Sequence, residues 1–169
     1  MMQLATLPST RALSVSWADP GPVRLAMSQM TGFEVVQAYI SGQFPRPPLG
    51  ELMDLDLSTR GPGHITFAFA TSELFENPMG TLHGGIIGTL LDSAMGLAVL
   101  STLERGAGFT TMEYKVNFIR PVLQSTGRVY AEGTVIHTGR NQAVAEGRLV
   151  DADGKLYALA STTCAILRQ

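Results

Sequence analysis

Apolar residues dominate residues 86–100, in the middle of the chain, and a single carboxylate, Asp92, interrupts them. Gly84 and Gly85 stand immediately before this stretch, and the pattern predicts a helix that they open. A helix that is apolar on all sides is buried in a soluble protein. We therefore expect the other elements of the chain to surround it.

Alternation of apolar and polar residues follows downstream and predicts strands. Residues 111–119 alternate strictly, which predicts one face with Met112, Tyr114, Val116 and Phe118. Residues 128–137, 142–150 and 156–167 are further runs of this kind. Gly, Asn and Asp at 138–141 and 151–154 suit tight turns between them, so these runs should form an antiparallel meander.

One face of this predicted meander carries small side chains, which would let a sheet curl closely around a bulky helix. These residues are Ala131, Gly133, Ala143, Ala145, Gly147, Ala158 and Ala160.

Upstream, residues 52–59 and 64–70 predict a hairpin across the turn at 60–63. The predicted order of two strands, a buried helix and four strands gives an α+β fold with an antiparallel sheet wrapped around a central helix. Residues 23–43 resemble an extra N-terminal helix despite Gly32, and the prolines of 44–48 end it. We predict an N-terminal arm and helix over 1–48 and one domain over 49–169, because about twenty residues cannot build their own core.

Composition excludes several classes of protein. The 12 Lys and Arg against 14 Asp and Glu leave no basic stripe of the kind that binds nucleic acid. Cys164 is the sole cysteine and the N-terminus lacks a signal-peptide pattern, so we expect a cytoplasmic location. Residues 84–103 have the length of a membrane span, but Asp92 near their centre and the absence of flanking Lys or Arg clusters oppose one.

Asp92 is the main candidate for catalysis. An ionised side chain in an apolar environment is costly unless it is paired, so a chain that keeps one there is expected to use it. A carboxylate in this position could activate a water molecule or attack a carbonyl directly. The alternative is a structural carboxylate that caps a neighbouring element or pairs with an arginine.

The residues just before the helix are candidates for binding an oxyanion. Backbone N–H groups at a helix N-terminus can receive negative charge, which suits Gly84 and Gly85, although both could serve the turn alone. His83 and Asp92 are nine residues apart, which places them on roughly opposite sides of one helix. We therefore expect His83 to orient the loop or to bind a substrate oxygen, or else to be purely structural.

Two motifs carry a resemblance to a known family. They are Asn77-x5-His83-Gly84-Gly85-x6-Asp92 and the run from Thr110-Thr111 to Asn117-Phe118-Ile119-Arg120-Pro121. Together they resemble the hotdog-fold acyl-CoA thioesterases of the phenylacetic-acid pathway, and the similarity continues to about residue 167. The resemblance implies a hotdog fold and homodimers, often paired again into tetramers, with active sites at the subunit interface.

The resemblance also implies roles for further residues. Asn77 matches a position that holds the nucleophile or the substrate, and its alternative is a turn residue before Pro78. Thr111 matches a position whose hydroxyl places the attacking water, with Thr110 as the alternative, since neighbouring strand residues face opposite ways. Arg120, Arg128 and Arg140 are candidates for the phosphates of coenzyme A.

Three other expectations limit the chemistry. We expect no metal site, because His64 and His137 lie in strand patterns apart from other ligands, and no separate cofactor, because coenzyme A belongs to the substrate. No nucleophile elbow is present and Cys164 has no evident partner, which disfavours a serine or cysteine hydrolase. A hotdog hydratase or dehydratase and a non-catalytic acyl-CoA-binding module remain as alternatives.

Overall fold

The computed structural model describes residues 9–168. Residues 1–8 of the predicted arm and the last residue of the predicted domain lie outside the described part. The described helices are α1 (Gly21–Met27), α2 (Gly32–Ile40), α3 (Pro48–Met53) and α4 (Gly84–Leu100). The strands are β1 (Asp56–Gly61), β2 (His64–Ala70), β3 (Gly108–Phe118), β4 (Arg128–Thr138), β5 (Gln142–Asp151) and β6 (Leu156–Leu167).

The six strands form one antiparallel sheet in the order β1-β2-β4-β5-β6-β3, wrapped around α4. β4, β5 and β6 are the predicted meander, and the predicted central helix begins at Gly84 as expected. The α+β hotdog architecture is therefore confirmed. β1 and β3 are the two edges of the sheet.

Small residues on the sheet let α4 approach closely. A Cβ atom added to Gly133 of β4 would lie 2.3 Å from the carbonyl oxygen of Ala94, and one added to Gly147 of β5 would lie 3.0 Å from Met95. Ala94, Met95 and Leu91 are fully buried against this surface. The predicted small face of the meander is thus the surface that seats the helix.

The N-terminal helix predicted over 23–43 is two helices, α1 and α2. Residues 28–31 separate them, and Thr31 caps α2 in a reciprocal capping box with Glu34. The backbone requires Gly32, because an added Cβ would lie 1.7 Å from the carbonyl oxygen of Leu100. The prediction of one continuous helix missed this capping signal and the contact with α4.

The strand predicted over 52–59 is also shorter than expected. Pro48 starts α3, which runs to Met53, and Asp54 then takes a left-handed conformation with φ of 48°. β1 begins only at Asp56 and pairs with β2 as the predicted hairpin. A proline at the first helical position favours the helix over the strand.

The strict alternation predicted for β3 is wrong at one residue. Thr111 pairs with Cys164 of β6, but the next pair is Glu113 with Thr163, so Met112 is an extra residue in a β-bulge. A bulge reverses which residues face inward on its two sides. Thr111 therefore faces α4 together with Tyr114, and Met112 is 64% exposed instead of joining the inner face.

The N-terminal helices share the core of the domain. Val35 and Ala38 of α2 and the following Phe44 are buried in the same cluster as α4. The boundary predicted at residue 48 stays a prediction. Within residues 9–168, no helix has both the length and the apolar character needed to cross a membrane.

We predict that Gly133→Ala lowers the free energy of unfolding by about 1–3 kcal/mol, because the new methyl group would overlap the α4 backbone. Gly108→Ala in β3 is the control, since no atom lies within 4 Å of its added Cβ. Urea unfolding monitored by circular dichroism measures both. Equal stabilities of the two variants would contradict the close packing at Gly133.

Asp151 makes the folding stability depend on pH in the acid range. Its carboxylate accepts hydrogen bonds from the N–H groups of Asp153 and Lys155 and from the Tyr157 hydroxyl, each at 3.0 Å. Desolvation acts to raise the pKa of Asp151. The three hydrogen bonds, of which the one from the Lys155 N–H has the largest effect, outweigh desolvation and lower the pKa. The stabilisation is therefore fully present above the unfolded pKa of about 3.9 and is lost as pH falls through the folded value.

We accordingly predict that Asp151→Asn is less stable than the parent protein at pH 7 and loses less stability as the pH falls below about 4. Urea midpoints measured across this range test it. Asp153→Asn, in the same turn, should follow the parent curve because only its backbone N–H joins this network. Parallel curves for the parent and Asp151→Asn would refute the assignment.

Candidate active site

Asp92 and Thr111 come together where α4 packs against the edge strand β3. Asp92 lies in the third turn of α4 and is partly buried, and Thr111 lies on β3 just before the bulge. The Thr111 hydroxyl donates a hydrogen bond of 3.0 Å to Oδ1 of Asp92. The neighbouring Thr110 is exposed, so of the two predicted alternatives the structure places Thr111 beside the carboxylate.

A cavity of about 500 Å³ opens in front of this pair. Its walls come from α4, from β1 to β3 and from the segment that contains α2 and α3, and most of the lining side chains are apolar. Such a cavity can enclose an organic group and limit the access of water to it. Asp92 is therefore a carboxylate at the wall of an apolar chamber, as its isolated position in the sequence predicts.

His83 and the two glycines form the start of α4. His83 is the N-cap residue, and its Nδ1 accepts the N–H of Gly85 at 2.9 Å, so the proton of a neutral imidazole lies on Nε2. The N–H groups of Ile86 and Ile87 both reach the His83 carbonyl oxygen. Gly84 is the one residue in this turn whose N–H finds no acceptor among residues 9–168. That group is free to receive a developing oxyanion.

Asn77 stabilises the turn that leads to this helix. Its side-chain Nδ2 donates to the Thr81 hydroxyl at 2.8 Å, and its Oδ1 accepts the Met79 N–H at 2.9 Å. Its backbone N–H also bonds to the Thr81 carbonyl oxygen. Within one chain Asn77 therefore has the turn role that the sequence left as its alternative.

The predicted site residues occupy two separate places in a single chain. Asn77, Gly84 and Arg120 line a second cavity of about 350 Å³, whereas Asp92 and Thr111 line the first. His83 and Asp92 are nine positions apart, which corresponds to about 13.5 Å along the helix axis. Within one chain the predicted site residues therefore form two groups that do not meet.

The three candidate arginines are also divided. Arg120 donates to the Leu156 carbonyl oxygen at 2.6 Å and Arg128 pairs with Asp56 at 3.0 Å. Both lie at the end of the sheet where α4 begins. Arg140 lies in the turn between β4 and β5, at the opposite end, where Thr102 after α4 approaches Thr138.

Cys164 lies on β6 directly opposite Thr111 and is fully buried. Burial raises the pKa of its thiol, so the thiol is protonated at neutral pH. A protonated buried thiol is a poor nucleophile. Cys164 is therefore a packing residue behind the site.

The sequence missed the residues that the N-terminal segment contributes. Tyr39 of α2, Arg46 before α3 and Leu49 of α3 all line the Asp92 cavity. No periodicity or motif marks them, because their role depends on how the segment folds back on α4. Nothing short of the tertiary contact could have identified them.

Comparisons with known proteins agree with this geometry. The sequence model of the thioesterase superfamily matches residues 79–158, which include His83, Gly84, Asp92 and Thr111. A candidate esterase of Saccharolobus solfataricus is 35% identical over 118 residues, covering 70% of this chain and 82% of that protein. Human acyl-coenzyme A thioesterase 13 is 29% identical over 126 residues, covering 74% of this chain and 86% of that protein.

A similar solved structure is the phenylacetic acid degradation-related protein of Ralstonia eutropha. It superposes with a TM-score of 0.70 at 28% identity, covering 77% of this chain and 98% of that one. The sequence motifs, the helix wrapped by its sheet and these relatives all agree. The chain belongs to the thioesterase superfamily and is a hotdog-fold thioester hydrolase of the phenylacetic-acid-pathway type.

Proposed function

We propose that this protein hydrolyses an acyl-CoA, with an aromatic or a short- to medium-chain acyl group, to the free acid and coenzyme A. The observation that carries the proposal is the hydrogen bond from Thr111 to Asp92 at the wall of an apolar cavity. The Thr111 hydroxyl holds Oδ1 of Asp92 and leaves Oδ2 to accept a proton. The hydroxyl oxygen keeps lone pairs that can accept a hydrogen bond from water.

In the proposed reaction Asp92 acts as a general base. It takes a proton from a water molecule held by Thr111, and the oxygen of that water attacks the thioester carbon. The carbonyl becomes an oxyanion, which the Gly84 N–H stabilises. When the tetrahedral intermediate collapses, the C–S bond breaks and the coenzyme A thiolate takes the proton from Asp92. Direct attack by Asp92, which would form an anhydride, is the alternative that nucleophilic trapping would reveal.

A second copy of the chain would unite the two halves of the site. The exposed edge of β3 has unpaired backbone groups, and Met112, Tyr114, Phe118 and Ile119 are each 44–64% exposed. Exposed apolar residues on an edge strand favour pairing with another strand. The β1 edge is less suited, since it is short, irregular near Gly61 and carries charged residues.

The register between α4 and β3 indicates how two copies would fit. Gly84 lies beside Phe118 and Asp92 beside Thr111, so the helix and the strand run in opposite directions. A twofold axis near Tyr114 would pair β3 with its copy antiparallel and place Phe118 of one chain next to Thr111 of the other. Gly84, His83 and Asn77 of one chain would then meet Asp92 and Thr111 of the second.

The coenzyme A end of the substrate would lie near Arg120 and Arg128, at the end of the sheet where α4 begins. Guanidinium groups suit phosphate oxygens. Arg140 could join them only from the second copy, whose sheet runs in the opposite direction. The reaction needs no further cofactor, because water and the substrate supply every reacting atom. The cytoplasmic location expected from Cys164 stays a prediction.

We predict that Asp92→Asn abolishes thiol release from a panel of butyryl-, octanoyl-, benzoyl- and phenylacetyl-CoA, because the base is lost. Thr111→Val should lower kcat by about 10²-fold or less, since the carboxylate loses its positioning partner. Thr110→Val is the matched control and should keep the parent rate, because Thr110 faces away. A spectrophotometric thiol assay on folded protein measures all three.

Three results would contradict the proposal. Hydrolysis by Asp92→Asn within a few-fold of the parent rate would exclude Asp92 as the base. A parent protein that binds acyl-CoA tightly and releases no thiol would be a binding module. Loss of the enoyl absorbance of crotonyl-CoA without thiol release would indicate a hydratase.

The shared site makes a separate prediction. Two inactive variants, Asp92→Asn and His83→Ala, should recover activity when they are refolded together, because each mixed dimer would contain one intact site. Random mixing should restore about a quarter of the parent activity, since half of the dimers would be mixed. Kinetics on the mixture and on each variant alone provide the measurement.

Absence of recovery, with mixed dimers demonstrated by differently tagged chains, would show that the two halves do not combine across the interface. The same experiment on Asp92→Asn mixed with Thr111→Val serves as the control. Both changes lie in the same half of the proposed site, so each of the two sites in a mixed dimer would contain one altered residue and no intact site would form. Activity in this control should stay at the level of the single variants.

A further inference from the structure

We infer that the helices of the N-terminal segment, residues 21–53, set the acyl-group preference of the enzyme and favour acyl groups bulkier than a single ring. The inference rests on the proposed acyl-CoA hydrolysis. It concerns α2, α3 and their connection, all of which lie outside the residues that the superfamily model matches.

The position of these helices follows from the open sheet. β1 and β3 are the two edges and do not pair with each other in the chain, so the curled sheet leaves one side of α4 uncovered. The N-terminal segment covers that side, with α2 contacting both α4 and β1. The cavity in front of Asp92 lies under this cover. Besides Arg46, its wall from the segment consists of Met27, Tyr39, Ile40, Pro47, Leu49 and Gly50.

The wall is held in place by ion pairs. Arg46, which precedes α3, donates to Asp54 at 2.6 Å and to Asp56 at 3.1 Å. The hydrogen bond with Asp54 raises the pKa of Arg46, so this cation persists at every physiological pH. Arg128 pairs with Asp56 from the other side. A single exposed ion pair contributes little, but this forked network joins the two ends of α3 to the sheet.

The chemistry of the lining favours an apolar acyl group. Of the charged residues that line the cavity, Arg46 and Asp56 pair with each other, which leaves Asp92 as the reacting carboxylate. The Tyr39 hydroxyl reaches the Met27 sulfur at 3.8 Å and its ring packs edge-on against Phe44. The remaining surface is dominated by aliphatic side chains such as Leu49, Leu57 and Leu97.

The size of the cavity favours a long acyl group. Its volume of about 500 Å³ is about three times the ~150 Å³ of an engineered cavity that encloses benzene. A butyryl or benzoyl group would leave much of the apolar wall in contact with water. A chain of about ten to twelve carbons would extend from Asp92 to α3 and fill it.

Leu49 offers a test from inside the wall. We expect the parent enzyme to hydrolyse dodecanoyl-CoA with a higher kcat/KM than butyryl-CoA or benzoyl-CoA. Leu49→Trp should lower the ratio of kcat/KM for dodecanoyl- over butyryl-CoA about ten-fold or more, because the indole would fill the far end of the cavity. Leu49→Ala should leave this ratio unchanged or raise it. Substrate concentrations stay below those at which dodecanoyl-CoA forms micelles.

Leu52 provides the matched control. It is on the same helix, has a similar exposure of 41% against 45% for Leu49, and does not line the cavity. Leu52→Trp should keep the parent ratio. If thermal melting shows that Leu49→Trp is unstable, Ile40→Trp on α2 repeats the test. We expect it to lower the dodecanoyl-to-butyryl ratio of kcat/KM as well.

The outcomes separate the inference from the proposed function. An enzyme that hydrolyses acyl-CoA but prefers butyryl- to dodecanoyl-CoA overturns the inference and leaves the activity standing. A ratio that Leu49→Trp and Ile40→Trp do not change overturns it too. Failure to hydrolyse any thioester, including butyryl-CoA, overturns the proposed function itself. A dodecanoyl preference that falls with Leu49→Trp and persists with Leu52→Trp supports the inference.

Discussion

The close approach of α4 to the sheet is the contact on which the rest of the structure depends. At Gly133 the helix backbone lies where any larger residue would place its Cβ, and Gly147 gives the same room to Met95. This packing lets one sheet enclose an almost wholly apolar helix, which needs such cover in water. It also keeps the helix at a fixed height and rotation, so that Asp92 faces β3 and the N-terminal segment.

The bulge at Met112 brings a hydroxyl to the carboxylate of this packed helix. If Met112 were a regularly paired residue, the alternation of β3 would place Thr110 on the same face as Tyr114 and turn Thr111 outward. With the bulge, the Thr111 hydroxyl reaches Asp92, and Tyr114 still faces α4 beyond the bulge. A local irregularity in one strand therefore decides which of two adjacent threonines meets the carboxylate.

The N-terminal segment shapes the Asp92 cavity within one chain, whereas the β3 edge would act only in the proposed dimer. The segment adds a wall to the cavity, so the space in front of Asp92 is shaped partly by residues that precede the sheet and the central helix. The β3 edge bears the residues through which a second copy would bring Gly84 to the same substrate. Both features lie at the open side of the curled sheet, where β1 and β3 do not pair with each other.

The sequence by itself determined the central helix with its lone carboxylate, the four downstream strands and the small face that seats the helix, because these depend on local periodicity. The catalytic role of Asp92 stays a prediction that rests on the cost of an isolated charge. The break before Gly32 and the start of α3 carry local signals, which are the capping box of Thr31 with Glu34 and Pro48 at the first helical position. The tertiary structure alone decided the close contact of Gly32 with Leu100 and the bulge, because these depend on distant residues and on a register that alternation does not encode. The same holds for Tyr39 and Leu49, whose place in the cavity follows from long-range packing on α4 that no local pattern specifies.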